Sequence, residues 1–154
     1  MSLVDKIILR LIKKNISVSI AESCTGGLIS SSITKINGAS KIFSCGIISY
    51  SNNSKFKYLS VSKKTLNKFG AVSSNVAEEM VDGLYKIEKA KITISTTGIA
   101  GPNGGSKDKP VGLVYIGLKF KNKNYIYKKI FIGSRIDVQR KTKNFVFKKL
   151  DDLI

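Results

Sequence analysis

The stretch ISVSIAESCTGG, residues 16–27, decides the fold prediction. Residues 16–21 alternate apolar and polar side chains, which is the period-two pattern of a β-strand. Two glycines then close a tight turn, and a helix is predicted over residues 26–36. Strand–turn–helix units of this kind build α/β sheets, in which ligands bind beyond the carboxyl ends of the strands.

Helical and strand patterns alternate on both sides of this unit. Helices are predicted over residues 3–14, 62–69 and 136–150, with a further helix capped by Ser74 or Asn75. Strands are predicted over residues 42–50, 91–97, 111–120 and 124–132. The last two strands form a late β-hairpin. The pattern predicts a three-layer α/β/α fold with a mixed, mostly parallel sheet and helices on both faces.

Composition narrows the possible chemistry. The chain has 154 residues, the size of one domain, with two cysteines and no histidine. A Ser–His or Cys–His pair is therefore impossible, and a nucleophile needs another activating group. The formal charge of +17 is compatible with polyanion binding, but the lysines are spread along the chain, which favours a solvated basic surface.

The sequence also indicates a compartment. No apolar run approaches the roughly 20 residues that span a bilayer, and the N-terminus lacks the features of a signal peptide. We expect a cytoplasmic protein that is complete as it stands and does not bind membranes.

Three predicted loops lie at carboxyl ends of strands, over residues 22–27, 50–55 and 97–105, and they contain the candidate site residues. Ser23 begins a strand-to-helix turn, as a nucleophile would, although local sequence alone favours a helix N-cap at Ser23 or Thr25. Cys24 is a rival nucleophile. Lys55 is a candidate base if its pKa is lowered, and otherwise a solvated loop lysine. Tyr50 is placed to relay a proton, to orient a substrate or simply to line the rim.

Four motifs together resemble the CinA C-terminal domain family, the nicotinamide-nucleotide amidases. They are AESCTGG at 21–27, GIISYSNNSK at 46–55, GAVS with Val76-Ala77 at 70–77, and TGIAGP with later glycines at 97–112. The motifs occur in the family's order and at its spacing, and they cover nearly the whole chain.

The resemblance implies hydrolysis of nicotinamide mononucleotide to nicotinic acid mononucleotide and ammonia, without a metal or cofactor. It assigns Ser23 as nucleophile and Lys55 as base, with Tyr50 near the reacting groups. Loop amides and Arg135 are expected to bind the substrate phosphate. Oxyanion donors are expected near Gly26 or in the 97–101 loop. The expected substrate-binding residues are Thr25, Gly26, Gly27, Gly46, Thr97, Gly98, Ala100, Gly101 and Arg135.

One region departs from the family pattern. Members usually carry a second arginine four residues after the one matched by Arg135, whereas Gln139 stands here and Arg140 follows it. This difference leaves open a domain that binds a nucleotide without catalysis. Charge-driven nucleic-acid binding ranks lower, because no aromatic platform for base stacking is present. A homo-oligomer, with a dimer favoured, is expected through the final helix and the hairpin.

Overall fold

The computed structural model describes residues 1–154 and contains six α-helices and five β-strands. In chain order these are α1 (Leu3–Lys13), β1 (Val18–Glu22), α2 (Leu28–Thr34), β2 (Phe43–Ile48), α3 (Asn52–Leu59), α4 (Lys63–Phe69), α5 (Ser74–Glu88), β3 (Ile92–Gly98), β4 (Leu113–Phe120), β5 (Lys123–Ile130) and α6 (Arg135–Leu153). A short 3₁₀ turn precedes β2 at Ala39–Lys41.

The strands form one mixed sheet in the order β2-β1-β3-β4-β5. At one end, β1 lies parallel to both β2 and β3. The β3–β4 and β4–β5 pairings are antiparallel, and the second is the predicted hairpin. The predicted α/β fold is confirmed, with its parallel pairings confined to one end. The carboxyl ends of β1, β2 and β3 consequently meet at one edge of the sheet.

Helices cover both faces of this sheet, as predicted. Helices α1, α2 and α6 contribute to the larger core, in which apolar side chains of β1, β3 and β4 pack. Helices α3, α4 and α5 enclose a smaller core on the opposite face. The α3–α5 approach is close at Gly83, where a Cβ atom would lie 1.7 Å from the Leu59 carbonyl oxygen. This close approach restrains the backbone of α3, the helix that carries Lys55.

Two local predictions were wrong. The segment leading to Lys55 is helical and not a loop, because Ser51 caps α3 and forms a reciprocal capping box with Ser54. Helix α5 is capped by Ser73, whose hydroxyl accepts a hydrogen bond from the Val76 amide, one residue before the predicted cap.

The apolar faces of α6 and of the β4–β5 hairpin, which were expected to support self-association, pack against the core of the same chain. Buried residues of α6, including Val146 and Phe147, belong to the larger core, and Tyr125 and Tyr127 of β5 pack against it. Exposed apolar side chains in this region are Ile130, Ile132 and Ile136. A dimer stays a prediction. No helix of the chain has the length and apolar character needed to cross a membrane.

Candidate active site

A buried serine–lysine pair lies at the carboxyl edge of the parallel strands. Ser23 immediately follows β1, and its amide donates to the Thr96 carbonyl oxygen of β3 at 3.0 Å. Lys55 projects from the first turn of α3, and its Nζ lies 2.9 Å from Ser23 Oγ. A second contact, of 3.0 Å, joins Lys55 Nζ to the Ser49 carbonyl oxygen. The two side chains predicted as nucleophile and base are thus in direct contact.

The environment of Lys55 favours its neutral form. The residue is only 2% exposed, and burial lowers the pKa of its amine from the ordinary value of 10.5. No carboxylate lies within ion-pairing distance of Nζ to oppose this effect. A neutral amine has a lone pair that can accept the Ser23 hydroxyl proton, which is what a general base requires.

Cys24, the rival nucleophile, is placed for a different role. Its side chain is 5% exposed, and burial raises the pKa of the thiol to about 12. Because the thiolate is the reactive form, a thiol with this pKa is almost wholly inert at neutral pH. The structure therefore favours Ser23 over Cys24 as the nucleophile.

The turn that follows Ser23 is organised by the buried carboxylate of Glu22. One carboxylate oxygen accepts hydrogen bonds from the Gly27 and Ile29 amides, at 3.1 and 3.2 Å, and from the Thr25 hydroxyl. The other accepts from the amide and the hydroxyl of Ser30, both at 2.8 Å. Glu22 thus caps the start of α2 from within the protein. Sequence reasoning missed this role, although a glutamate at the end of a predicted strand and a few residues before a predicted helix was its available signal.

Four predicted substrate-binding residues support the turn and do not line the cleft beside Ser23. The Gly26 amide donates to the Ser23 carbonyl and the Gly27 amide to Glu22, so neither is free to bind an anion. Gly27 also has a φ of +96°, which favours glycine. Thr25 is buried and bonded to Glu22 and Thr96. At Gly46, a Cβ atom would lie 2.7 Å from Ser30 Oγ.

The remaining predicted residues converge on an open cleft of about 260 Å³ above the Ser23–Lys55 pair. Its walls include residues that sequence reasoning did not single out, namely Asn52 at the start of α3 and the loop residues Ala71, Val72, Ile99, Asn103 and Gly104. The predicted residues that line it are Ser23, Tyr50, Lys55, Thr97, Gly98, Ala100, Gly101 and Arg135. Loops from β1, β2 and β3 therefore build one site, as the topology requires.

Arg135, at the start of α6, connects two walls of the cleft. Its Nη1 donates to the Gly101 carbonyl at 2.8 Å, and its Nη2 donates to the Tyr50 hydroxyl. Tyr50 is 59% exposed, and its hydroxyl makes no hydrogen bond with Ser23 or Lys55. The contacts therefore place Tyr50 at the rim beside a cationic group and give no support to a proton relay.

The Gln139 position, where the chain departs from the family pattern, also contacts the site. Gln139 Nε2 donates to the Cys24 carbonyl oxygen at 3.0 Å. Arg140 is exposed and pairs with Asp137 at 2.8 Å. Arg140 therefore does not take the place of the family's second arginine. Gln139, which stands at that arginine's position, contacts the turn that follows Ser23.

A larger cavity of about 530 Å³ lies elsewhere, between α1, α2 and α6. It is lined mainly by surface groups such as Lys35, Lys143 and Lys148, and it contains none of the predicted site residues. We assign the site to the smaller cleft because only that cleft contains the buried, mutually bonded side chains Ser23 and Lys55.

These features define a class of protein, an α/β/α domain with a buried serine–lysine pair under a cleft at the carboxyl edge of its parallel strands. The sequence model of the CinA C-terminal domain matches residues 1–154. The chain belongs to this family.

Individual relatives agree with this assignment. A CinA-like protein of Fusobacterium nucleatum is 51% identical over 133 residues, covering 86% of this chain and 32% of that protein. One from Kosmotoga olearia is 46% identical, covering 92% and 34%. The chain thus spans about a third of the length of these curated relatives.

Solved structures show the same fold. The competence/damage inducible protein CihA from Agrobacterium tumefaciens superposes with a TM-score of 0.93 at 34% identity, covering 99% of this chain and 96% of that one. A CinA superfamily protein from Escherichia coli also gives 0.93, at 32% identity, with coverages of 99% and 88%.

Proposed function

We propose that this domain is an amidohydrolase that converts nicotinamide mononucleotide to nicotinic acid mononucleotide and ammonia, with Ser23 as nucleophile and Lys55 as general base. The observation that carries the proposal is the 2.9 Å contact between Lys55 Nζ and Ser23 Oγ, made by two side chains that are almost wholly buried. The particular amide comes from the family resemblance of the sequence motifs.

The proposed reaction has two stages that share one proton carrier. Neutral Lys55 accepts the Ser23 hydroxyl proton as Oγ attacks the carboxamide carbon. The resulting ammonium gives its proton to the nitrogen as the C–N bond breaks, which releases ammonia and leaves an acyl-enzyme. Lys55 then accepts a proton from water as the water oxygen attacks the acyl carbon, and it returns that proton to Ser23 Oγ as the ester bond breaks. The carboxylic acid product loses its own proton to solvent and leaves as the carboxylate. The Ser49 carbonyl accepts a hydrogen bond from the lysine in its resting position.

The oxyanion of each tetrahedral intermediate needs hydrogen-bond donors that the fold leaves free. The Cys24 and Thr25 amides donate to no acceptor within the protein, whereas the Gly26 and Gly27 amides are engaged. Cys24 also lines the cleft directly after the nucleophile. We therefore assign the Cys24 amide as the principal oxyanion donor, a position analogous to that in nucleophile elbows.

The anionic end of the substrate fits the opposite part of the cleft. Arg135 supplies a guanidinium there, beside the Tyr50 hydroxyl. The Ala100 and Gly101 amides make no hydrogen bond within the protein, and both residues line the cleft. A phosphate accepts hydrogen bonds from just such a combination of arginine and backbone donors.

The test measures ammonia release from nicotinamide mononucleotide by wild type, Ser23→Ala and Lys55→Met. We expect release by wild type and a loss of at least about a thousandfold in each variant, as is typical when an acid–base group or nucleophile is removed. Lys57→Met, which changes an exposed lysine on the same helix, is the matched control and should retain full activity.

Two results would contradict the proposal. Full turnover by Ser23→Ala would exclude Ser23 as the nucleophile. Nucleotide binding by wild type without ammonia release would instead favour a domain that binds the nucleotide without catalysis.

A further inference from the structure

The turn from Ser23 to Gly27 lies outside regular secondary structure, so its shape depends on a few side-chain contacts. Its inner side is fixed by Glu22, which accepts hydrogen bonds from Gly27 and from the first residues of α2. The Ser23 amide is fixed by β3. The Gly26 amide closes the turn on the Ser23 carbonyl, and the Thr25 hydroxyl contacts Glu22 and Thr96. None of these contacts engages the carbonyl of the central peptide between Cys24 and Thr25.

The only protein donor to the Cys24 carbonyl is the Gln139 side chain, at 3.0 Å. Gln139 is half-buried on α6, one helical turn after Arg135, so both side chains project from the same side of that helix. Arg135 donates to the Gly101 carbonyl on one wall of the cleft, while Gln139 donates to the turn that carries the nucleophile. Helix α6 therefore contacts two separate parts of the site through neighbouring side chains.

The hydrogen bond to the Cys24 carbonyl restrains the whole peptide unit to which this carbonyl belongs. Because the peptide unit is planar, the Gln139 contact sets the plane that contains the Cys24 carbonyl and the Thr25 amide. That plane starts at the Cys24 Cα, the atom to which the proposed oxyanion donor is attached. Rotation of this peptide would redirect the free Thr25 amide and shift the backbone at Cys24, next to Ser23, and displacements of about 1 Å at a reacting centre can reduce rates about a hundredfold.

We propose that Gln139 is a positioning residue, which through the Cys24 carbonyl keeps the nucleophile turn in its reactive conformation. This inference rests on the proposed serine–lysine hydrolysis. Gln139 does not line the cleft and needs no contact with substrate. Its amide acts as an uncharged donor, so it restrains the turn without placing a further positive charge behind the Ser23–Lys55 pair.

The test uses Gln139→Met, which removes the donor while keeping a long uncharged side chain, and Gln139→Glu, which keeps the shape but presents a carboxylate. Arg140→Met is the matched control, because Arg140 is the next residue on α6 and pairs with Asp137 at the surface. Each variant is first checked by thermal unfolding. We then measure kcat and KM for ammonia release from nicotinamide mononucleotide, together with the rate at which a fluorophosphonate labels Ser23.

We expect Gln139→Met to lower kcat and the labelling rate by about fivefold to tenfold, the rate equivalent of one uncharged hydrogen bond, with KM unchanged. Gln139→Glu should lower both further, because its carboxylate repels the Cys24 carbonyl. The control should behave as wild type. The inference is overturned if Gln139→Met retains the wild-type kcat and labelling rate, or if only KM changes, since that change would indicate a substrate contact.

The labelling assay separates this inference from the proposed function. A fluorophosphonate reacts with an activated serine whatever the natural substrate is. Wild type that neither releases ammonia nor becomes labelled would contradict the serine–lysine hydrolysis itself. Wild type that is labelled at the same rate as both Gln139 variants would contradict only the role of Gln139.

Discussion

At the scale of single residues, Lys55 combines two properties that oppose each other. Its burial lowers the pKa of the lysine, so that a larger fraction of the amine is neutral and able to accept a proton at neutral pH. The same burial destabilises the fold, because the unfolded chain binds the lysine proton more readily than the folded protein does. The proposed catalytic group is therefore expected to reduce stability at neutral pH, as is common for active-site residues.

Replacement of Lys55 by methionine should make the protein more stable and inactive. We expect the free energy of unfolding at pH 7 to rise by about 1 kcal/mol, or roughly 2–4 °C in Tm for a domain of this size. Urea unfolding of Lys55→Met and wild type measures the difference, with Lys57→Met as the exposed control.

The pH dependence of the difference in free energy of unfolding between Lys55→Met and wild type shows whether the buried amine is its cause. The folded pKa of Lys55 lies below the ordinary 10.5, so wild type gains stability as pH rises between the folded and unfolded values. The advantage of Lys55→Met should accordingly shrink as pH approaches 10.5. A difference that is constant with pH, or an unstable variant, would show that the buried amine is not the cause.

Sequence located the two proposed reacting residues much better than it predicted their surroundings. Ser23 and Lys55 were singled out by motifs and by spacing, and the structure brings them into contact. The role of Gln139 was not predictable, because a contact with the Cys24 carbonyl far away in the chain leaves no local pattern. Ser49 is close to Lys55 in the chain, but it contacts the lysine through its backbone carbonyl, which no residue type signals. Loop glycines were also predicted to bind the substrate, whereas the Gly27 amide donates its hydrogen bond to the Glu22 carboxylate.

At the scale of secondary-structure elements, the junction between β1 and α2 is held by one carboxylate. Glu22 is fully buried, and five hydrogen bonds from the turn and from α2 end on its two oxygens. Because α2 has seven residues, its own backbone hydrogen bonds contribute little to its stability. The capping carboxylate is thus expected to account for much of the order of the nucleophile turn.

The Glu22→Gln substitution should be strongly destabilising despite its similar shape. One oxygen becomes an NH₂ group that faces N–H or O–H donors, so buried donors lose their acceptor. We expect a loss of about 3 kcal/mol in the free energy of unfolding, measured in urea. Glu88→Gln is the control, since Glu88 makes one exposed contact with Ser44, and should change stability by less than about 0.5 kcal/mol. Equal effects of the two substitutions would refute the capping role.

Element prediction failed where the usual helix signal is weak. Helix α3 has the sequence NNSKFKYL, with a single fully buried apolar residue, Leu59, so it shows little apolar periodicity. Its start depends on Ser51 and Ser54, and serine in place of glutamate or glutamine makes the capping box hard to recognise. The longer elements with regular apolar spacing, such as α1 and β3, were placed within about two residues.

At the scale of the whole molecule, net charge is the dominant property. The chain carries a formal charge of +17, and the cleft holds Arg135 at its rim. The field of such a protein raises the local concentration of anions and accelerates their encounter with the site. This contribution extends over a Debye length and is therefore screened by salt.

For a phosphate-bearing substrate, kcat/KM should fall as salt is raised. Between 50 mM and 500 mM KCl we expect a decrease of up to about tenfold for nicotinamide mononucleotide, measured by ammonia release. Nicotinamide riboside, which lacks the phosphate and keeps the positively charged pyridinium ring, is the matched control, and its kcat/KM should not fall as salt is raised. The same slope for both compounds would mean that the positive charge does not contribute to substrate capture.

The hydrogen bond from the Ser23 amide to Thr96 has a consequence for how the domain becomes active. It joins β1 to a strand that enters the sheet only after β2 and the helices α3 to α5 have been passed in the chain. Contacts between such distant segments form late in folding, after local helices. Serine reactivity should consequently return more slowly during refolding than helical circular dichroism, so that labelling of Ser23 would report when the long-range part of the sheet has formed.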